Sequence, residues 1–278
     1  MPKGLSNSSK FRYSGREWLN NHHAIKSRMR SDLISRMPLK AGDRVLDLAC
    51  GPGNWAISAA ERIGLHGFVL GVDRDPENVE TAEARRKSHP LKRVIRFQVG
   101  DITEFDTDIA DYDAIFLFNA LSCLPSAESL IERLCSSMKP NCHLLVKDSD
   151  LQSDFFWPVP FDLYTRLMSA ILAGSDRRLS GQYDPFFARE LPRILSAIPQ
   201  LKVATLSQSF SLMGEMTVEE RDYVRSNAAM IASIADQNGA SQAASEWLAL
   251  FADGEHCVMD DPAFMYTTTE FVFQASLS

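Results

Sequence analysis

Cysteine is scarce and scattered in this chain. The five residues (Cys50, Cys123, Cys135, Cys142 and Cys257) are odd in number, and no two of them form a C-x-x-C pair. That spacing indicates neither a zinc site nor a disulfide framework, and it fits reduced, mostly buried thiols in a cytosolic protein. Long apolar runs are missing as well: nowhere do about 18 apolar residues follow one another, so no membrane-spanning helix is expected. The opening MPKGLSNSSKFRY has no apolar stretch of the kind a signal peptide needs. A cytoplasmic location is the expectation. Nor is there an overall excess of basic charge; the formal net charge of −7 disfavours a general nucleic-acid binder. The charge is uneven, however. Residues 1–44 carry ten Lys and Arg against Glu17, Asp32 and Asp43, a net +7 that leaves −14 for the remainder. Such a segment is either a solvated basic face or a docking face for an acidic partner or phosphate-bearing substrate.

What is present is an ordinary globular composition, 45% hydrophobic and 23% charged over 278 residues. A chain of that length can bury roughly three quarters of its unfolded surface without covalent staples. Ser14 followed by Glu17 is a capping-box pattern. It opens a helix that could run to Met37, with Trp18, Ile25, Met29 and Leu33 on one face and His22 on the same stripe. From residue 44 short apolar runs alternate with helical segments. Strands are expected at 44–49, 68–73, 94–99, 112–118 and 143–147, and helices at 54–63, 76–87 and 127–138. Near-continuous apolar strands separated by helices imply a parallel sheet covered on both faces, an α/β fold. After Asp148 the rhythm breaks into irregular aromatic chain with helices near 161–173 and 186–197. Residues 201–210 alternate like a strand. A capping box at Thr217 and Glu220 starts a helix with Val224, Ile231 and Ile234 on one face. Gly239 separates that helix from a shorter one containing Trp247, and 265–273 is strongly β-prone.

The segment VLDLACGPGNWAI (45–57) carries the first chemistry. Glycines between a buried strand and a helix let the backbone approach a ligand, and the helix N-terminus offers free N–H groups. Gly51-x-Gly53-x-x-Ala56, with Asp73 twenty residues beyond Gly53, also satisfies a loose dinucleotide fingerprint. Two other acids favour a different ligand. Asp47 lies inside the strand, where a plain dinucleotide site needs no carboxylate. Asp101, in VGDITEF, stands just past the third strand, where it can accept from an adenine amino group. Asp73, at the carboxyl end of the second strand, can accept from both hydroxyls of a ribose.

Together these motifs resemble those of the class I S-adenosylmethionine-dependent methyltransferases, and particularly the small-molecule group that includes the ubiquinone- and menaquinone-pathway enzymes. The resemblance is close over residues 40–148 and looser beyond. It implies a Rossmann-like seven-stranded sheet, mostly parallel with an antiparallel last strand, bearing a helical cap. It implies S-adenosylmethionine as cofactor and S-adenosylhomocysteine as product. The donor would be held by Asp47, Ala49 (where many members carry a glycine), Gly51, Gly53, Asp73, Asp101 with Ile102, and Asn119, which ends the fourth strand. The histidine pair that many members of this small-molecule group show near that strand end is absent; Leu121-Ser122-Cys123-Leu124 stands there instead.

The expected organisation is an N-terminal helical cap segment (1–43), the donor-binding core (44–148), an aromatic-rich cap segment (149–200) and the last two strands with a helical insertion at 214–262 (201–278). Phe155, Phe156, Trp157, Phe161 and Tyr164 are either core for a cap helix or the wall of a partly apolar acceptor pocket. A base is required only if the nucleophile must lose a proton. Candidates are His22, Asp148, Asp150 and Tyr164. His23 points about 100° from His22 on a helix, so no shared metal is expected. The expected activity is methylation of a small, partly apolar metabolite at O, N or C, in secondary metabolism. Alternatives are the same fold and donor without methyl transfer, as a rearrangement catalyst or binding partner, or an acceptor tethered to a carrier or made of RNA. A homodimer is compatible with the sequence.

Overall fold

A computed structural model of the chain describes residues 24–105, 108–174 and 183–277. They form two compact units, one made of 26–154, 183–210 and 267–277, the other of 24–25, 155–174 and 211–266.

The first unit is built on strands β1 (Arg44–Leu48), β2 (Phe68–Asp73), β3 (Ile95–Val99), β4 (Ala114–Phe118) and β5 (His143–Ser149). They run parallel in the order β3-β2-β1-β4-β5. Order reverses between β1 and β4, which opens a crevice at the strands' carboxyl ends. β9 (Met265–Leu277) pairs antiparallel with β5, and β7 (Leu201–Thr205) pairs antiparallel with β9. The sheet is the expected Rossmann-like α/β sheet, parallel over β1 to β5 with an antiparallel last strand, but it has nine strands among the described residues where seven were expected.

Alternation along the strands builds both faces. Leu46, Leu48, Ile115, Leu117, Leu144 and Val146 point to the side of helices α4 (Ala127–Ser137) and α6 (Leu191–Ser196). Val45, Val69, Ile95, Phe116 and Leu145 point to the side of α1 (Ser27–Arg36) and α2 (Asn54–Ile63). Each large side chain so buried contributes about 1.5–3 kcal/mol. On the remaining helix, α3 (Pro76–Ser88), Asp75 caps the N-terminus by accepting from the backbone N–H of Glu77, and Pro76 presets the first turn.

The boundaries differ from the expected ones for local reasons. β1 stops at Leu48 because Ala49 turns into the left-handed region at φ 59°. β4 starts at Ala114 because residues 109–111 form a 3-10 turn. The strand expected at 201–210 is two strands, β7 and β8 (Gln208–Met213). Ser207 breaks it: its hydroxyl, not its backbone, accepts from Val272 N–H at 3.1 Å. The helix expected at 186–197 divides into a 3-10 turn at Phe187–Glu190 and then α6. The short strand β6 (Phe155–Trp157), in the second unit, was not foreseen. Ser14, Glu17, Trp18, His22 and His23 lie outside the described residues.

The second unit contains β6, α5 (Phe161–Ala173), α7 (Val218–Gln237) and α8 (Ser241–Leu250). The capping box is formed: Thr217 accepts from Glu220 N–H at 3.2 Å and Glu220 from Thr217 N–H at 2.8 Å. Phe156 sits among Trp247, Phe251 and Tyr266, with ring centroids 4.8–5.5 Å away. Trp247 satisfies its indole N–H on the carbonyl of Ala228 at 3.0 Å. Among the five aromatics noted in the sequence, Phe156 is therefore core, while Phe155, Trp157 and Phe161 are exposed.

Candidate active site

The crevice of the first unit is lined by the segments that leave β1 to β5. Asp47 is the penultimate residue of β1 and is 1% exposed. It takes a hydrogen bond from the backbone of Ala56, but its Oδ2 has no partner among the described residues. Burial, reinforced by the charge of Asp73, pushes its carboxyl up to about 8. A buried acceptor left this way is costly unless something arrives to satisfy it.

The loop that follows turns back on three left-handed residues, Ala49 (φ 59°), Gly51 (φ 53°) and Gly53 (φ 78°). The two glycines serve different needs. A Cβ at Gly53 would lie 2.6 Å from the Phe97 ring and 2.9 Å from Ala82, so this glycine lets the loop lie on α3 and β3. A Cβ at Gly51 would meet nothing within 4 Å: it would stand in open space, where a ligand would approach the backbone. Ala49 bears the left-handed conformation at a cost of roughly 1–2 kcal/mol. Ala49→Gly relieves that strain but adds about 0.5–1 kcal/mol of chain entropy. We expect a net gain of up to about 1 kcal/mol, seen as a melting temperature a few degrees higher. A lower melting temperature would show that the Ala49 methyl contributes packing worth more than its strain.

Asp73 closes β2 and is almost buried. Its Oδ2 accepts from Gly51 N–H at 2.7 Å, and its Oδ1 from Asp75 N–H at 2.9 Å and Asn78 Nδ2 at 3.3 Å. The carboxylate thus pins the glycine loop to the end of β2. A carboxylate offers about four acceptor sites. Three protein donors leave less room for a ribose than the sequence suggested. Asp101 is exposed beyond β3, and its Oδ1 accepts from both the N–H and the hydroxyl of Thr103, at 2.8 and 2.7 Å. Those bonds hold its carboxyl below the usual range. Ile102 is buried in the core beneath α4, and its carbonyl accepts from Arg133 at 2.7 Å.

Asn119 follows β4 in the left-handed region (φ 53°), and its N–H donates to the Lys147 carbonyl at 2.7 Å. Asp148, near the end of β5, is fully buried. Burial pushes its carboxyl up to about 6, against hydrogen bonds from the backbones of Ser149 and Ser122. Its oxygens accept those N–H groups at 2.9 and 3.0 Å, anchoring the turn Leu121–Cys123 that follows β4. Asp150 is held by Arg189 in a bidentate pair at 2.6 and 2.7 Å. Tyr164 belongs to the second unit, where its ring tilts 5.9 Å from that of Trp247.

The structure therefore brings Asp47, Ala49, Gly51, Gly53, Asp73, Asp101, Asn119 and Asp148 to one end of one sheet. Sequence reasoning missed a buried charge cluster at the same end. Lys26 and Lys147 both pair with Glu270, at 3.0 and 3.4 Å, and all three are at most 7% exposed. Two signals could have found it: a lysine ending the apolar run LLVK, and a glutamate on the inward face of 265–273, where Tyr266, Thr268 and Val272 alternate with it.

Comparison with known proteins accords with this geometry. A methyltransferase-domain family model matches residues 39–173. A demethylmenaquinone methyltransferase of Lactobacillus johnsonii is 26% identical over 112 residues, covering 40% of this chain and 46% of that protein. A trans-aconitate 2-methyltransferase of Methylobacterium nodulans is 34% identical over 125 residues, 45% of each chain. The chain thus spans about half the length of these curated relatives. Among solved structures, a cyclopropane-fatty-acyl-phospholipid synthase-like protein from Lactobacillus casei superposes with a TM-score of 0.58 at 15% identity, covering 96% of this chain and 94% of that one. No described helix is long and apolar enough to cross a membrane. Residues 39–173 therefore match a methyltransferase domain, and the motifs and sheet order around them are similar to those of the class I S-adenosylmethionine-dependent methyltransferases.

Proposed function

We propose that the carboxyl-end crevice binds S-adenosylmethionine and that the chain transfers its methyl group to a small, partly apolar metabolite. The observation that carries this reading is the orphaned Oδ2 of Asp47. The α-ammonium of the donor's methionine moiety supplies both the hydrogen bond and the countercharge which that oxygen lacks. The open cradle at Gly51 fits the same ligand. Ala49, Gly51 and Gly53 would shape the loop around it, Asp73 and Asp101 would serve its ribose and adenine, and Asn119 would stand near its reacting end. When bound, the sulfonium supplies a methyl group already activated for in-line displacement. The chain's own residues supply position and a dry site.

A base is needed only where the acceptor arrives protonated. Of the four candidates, Asp148 and Asp150 lie at the correct end of the sheet, and Asp150 is taken up by Arg189, which leaves Asp148. Its two backbone donors make it an anchor of the turn at 121–123 first and a proton acceptor second. The relatives named for a quinone and for aconitate support a small-molecule acceptor. The test is a library of quinols, phenols, amines and carboxylic acids assayed with S-adenosylmethionine. Equal amounts of S-adenosylhomocysteine and methylated product from one library member are expected. Donor binding without methyl transfer to any of them would move the reading to the non-methylating alternative.

Asp47 also gives the donor site a pH dependence. Its folded-state carboxyl, near 8, lies far above the ordinary 3.8. Between about pH 4 and 8 the folded chain therefore holds a proton that the unfolded chain has lost. This group's contribution to stability is greatest in acid and falls as pH rises through that window. Binding an ammonium requires the carboxylate, so donor binding releases that proton. Affinity should strengthen as pH rises from 6 to 8, by at most about tenfold per unit. Calorimetry in buffers of different ionisation enthalpy should report the proton. Asp47→Asn should abolish the release and weaken binding; release persisting in that variant would assign the proton elsewhere.

A further inference from the structure

Lys147 does more than balance Glu270. Its Nζ donates to Oδ1 of Asn119 at 2.9 Å, while the Asn119 N–H donates back to the Lys147 carbonyl at 2.7 Å. An ammonium has three donors and no acceptor, so only the oxygen of the carboxamide can face it. The orientation of the amide is thereby fixed. Its NH2 group must point away from Lys147, and Nδ2 has no partner among the described residues, although Asn119 itself is exposed at the end of β4. Burial lowers the pKa of Lys147, and Glu270, paired with both Lys26 and Lys147, opposes that shift and holds the ammonium in place. An adjacent ammonium also polarises the carboxamide and makes its N–H groups stronger donors. The NH2 end of Asn119, turned away from Lys147, thus offers a ligand donors only.

We propose that the Lys26–Glu270–Lys147 cluster sets Asn119 as a specificity residue that donates to an anionic oxygen of the bound ligand. This rests on the donor-site reading above. Two sources could supply such an oxygen: the carboxylate of the methionine moiety, or a carboxylate, enolate or phenolate of the acceptor. An amine or a neutral hydroxyl that must donate its own proton is disfavoured at this point.

Asn119→Asp separates this role from a structural one. Aspartate tolerates the left-handed backbone, as asparagine does. It keeps an oxygen for Lys147, so the melting temperature should hold or rise. What it removes is the NH2 donor, and it puts a negative charge in its place. Wild-type binding of S-adenosylhomocysteine is the control for the donor-site reading itself. If the oxygen is the methionine carboxylate, Asn119→Asp weakens S-adenosylhomocysteine roughly 10- to 100-fold and leaves 5′-methylthioadenosine, which lacks that carboxylate, unchanged. If it belongs to the acceptor, S-adenosylhomocysteine binding is unchanged, and KM for the acceptor found in the library rises by a similar factor. Lys147→Met, which frees the amide to rotate, should give a smaller loss of the same kind. Unchanged affinity and unchanged KM in Asn119→Asp, or tighter S-adenosylhomocysteine binding, would overturn the proposal.

Discussion

Asp73→Ala is expected to weaken S-adenosylmethionine binding by roughly 30- to 1,000-fold. The carboxylate acts on the ligand directly, through a ribose hydroxyl, and indirectly, through Gly51 N–H, whose position it fixes at 2.7 Å. Hydrogen bonds to a charged acceptor are worth about 1.5–3 kcal/mol each. With part recovered by water, the loss comes to about 2–4 kcal/mol. The variant should also melt several degrees lower, because the Asp75 N–H and the Asn78 side chain lose the same acceptor. Asp75→Ala separates the two effects. It removes a helix cap at a cost of about 0.5–2 kcal/mol but touches no proposed ligand group, so it should lower stability and spare affinity. Equal loss of affinity in both variants would mean that loop stability, not the Asp73 carboxylate, governs binding.

The two glycines of the first loop should fail in opposite ways. In Gly53→Ala the new methyl group would be driven into Phe97 and Ala82 at a φ of 78°, where an L-residue is already strained. Overpacking of about 1–3 kcal/mol added to strain of about 1–2 kcal/mol makes this one of the most destabilising single changes expected in the core unit. In Gly51→Ala the methyl group enters open space, so only the strain is felt and the melting temperature drops modestly. Its donor affinity should nonetheless fall by at least about tenfold, because the methyl group occupies the ligand's approach to the backbone. Thermal melts and calorimetry on the pair read both outcomes. A Gly51→Ala variant that binds normally would show that the open space belongs to solvent.

Most of the core unit was legible because two strong signals agree there. Each buried strand is a short apolar run, and each is punctuated by glycine, proline or a capping acid, so β1 to β5 and their helices emerged within a few residues. The acids Asp47, Asp73 and Asp101 were legible because their order fixes them at successive strand ends. What the sequence hid depends on contacts remote along the chain. The two internal donors that Asp148 takes from Ser122 and Ser149 make it an anchor, and a loop acid looks the same in sequence with or without them. Lys26, Lys147 and Glu270 meet across as many as 244 residues of chain, and no local pattern announces such a pairing. β6 is three residues long within an aromatic segment, too short for its alternation to be read. The split between β7 and β8 rests on one serine hydroxyl replacing a backbone group in the ladder.

The most direct test is titration of the wild-type chain, in separate calorimetric runs, with S-adenosylmethionine and with NADH. The glycine loop and Asp73 alone satisfy the loose fingerprint of either ligand. The orphaned oxygen of Asp47 favours a ligand carrying an ammonium, and NADH has none. The account predicts saturable binding of S-adenosylmethionine at one site per chain, with release of a proton near neutral pH and no competing uptake of NADH. Saturable NADH binding without any heat from S-adenosylmethionine would contradict it.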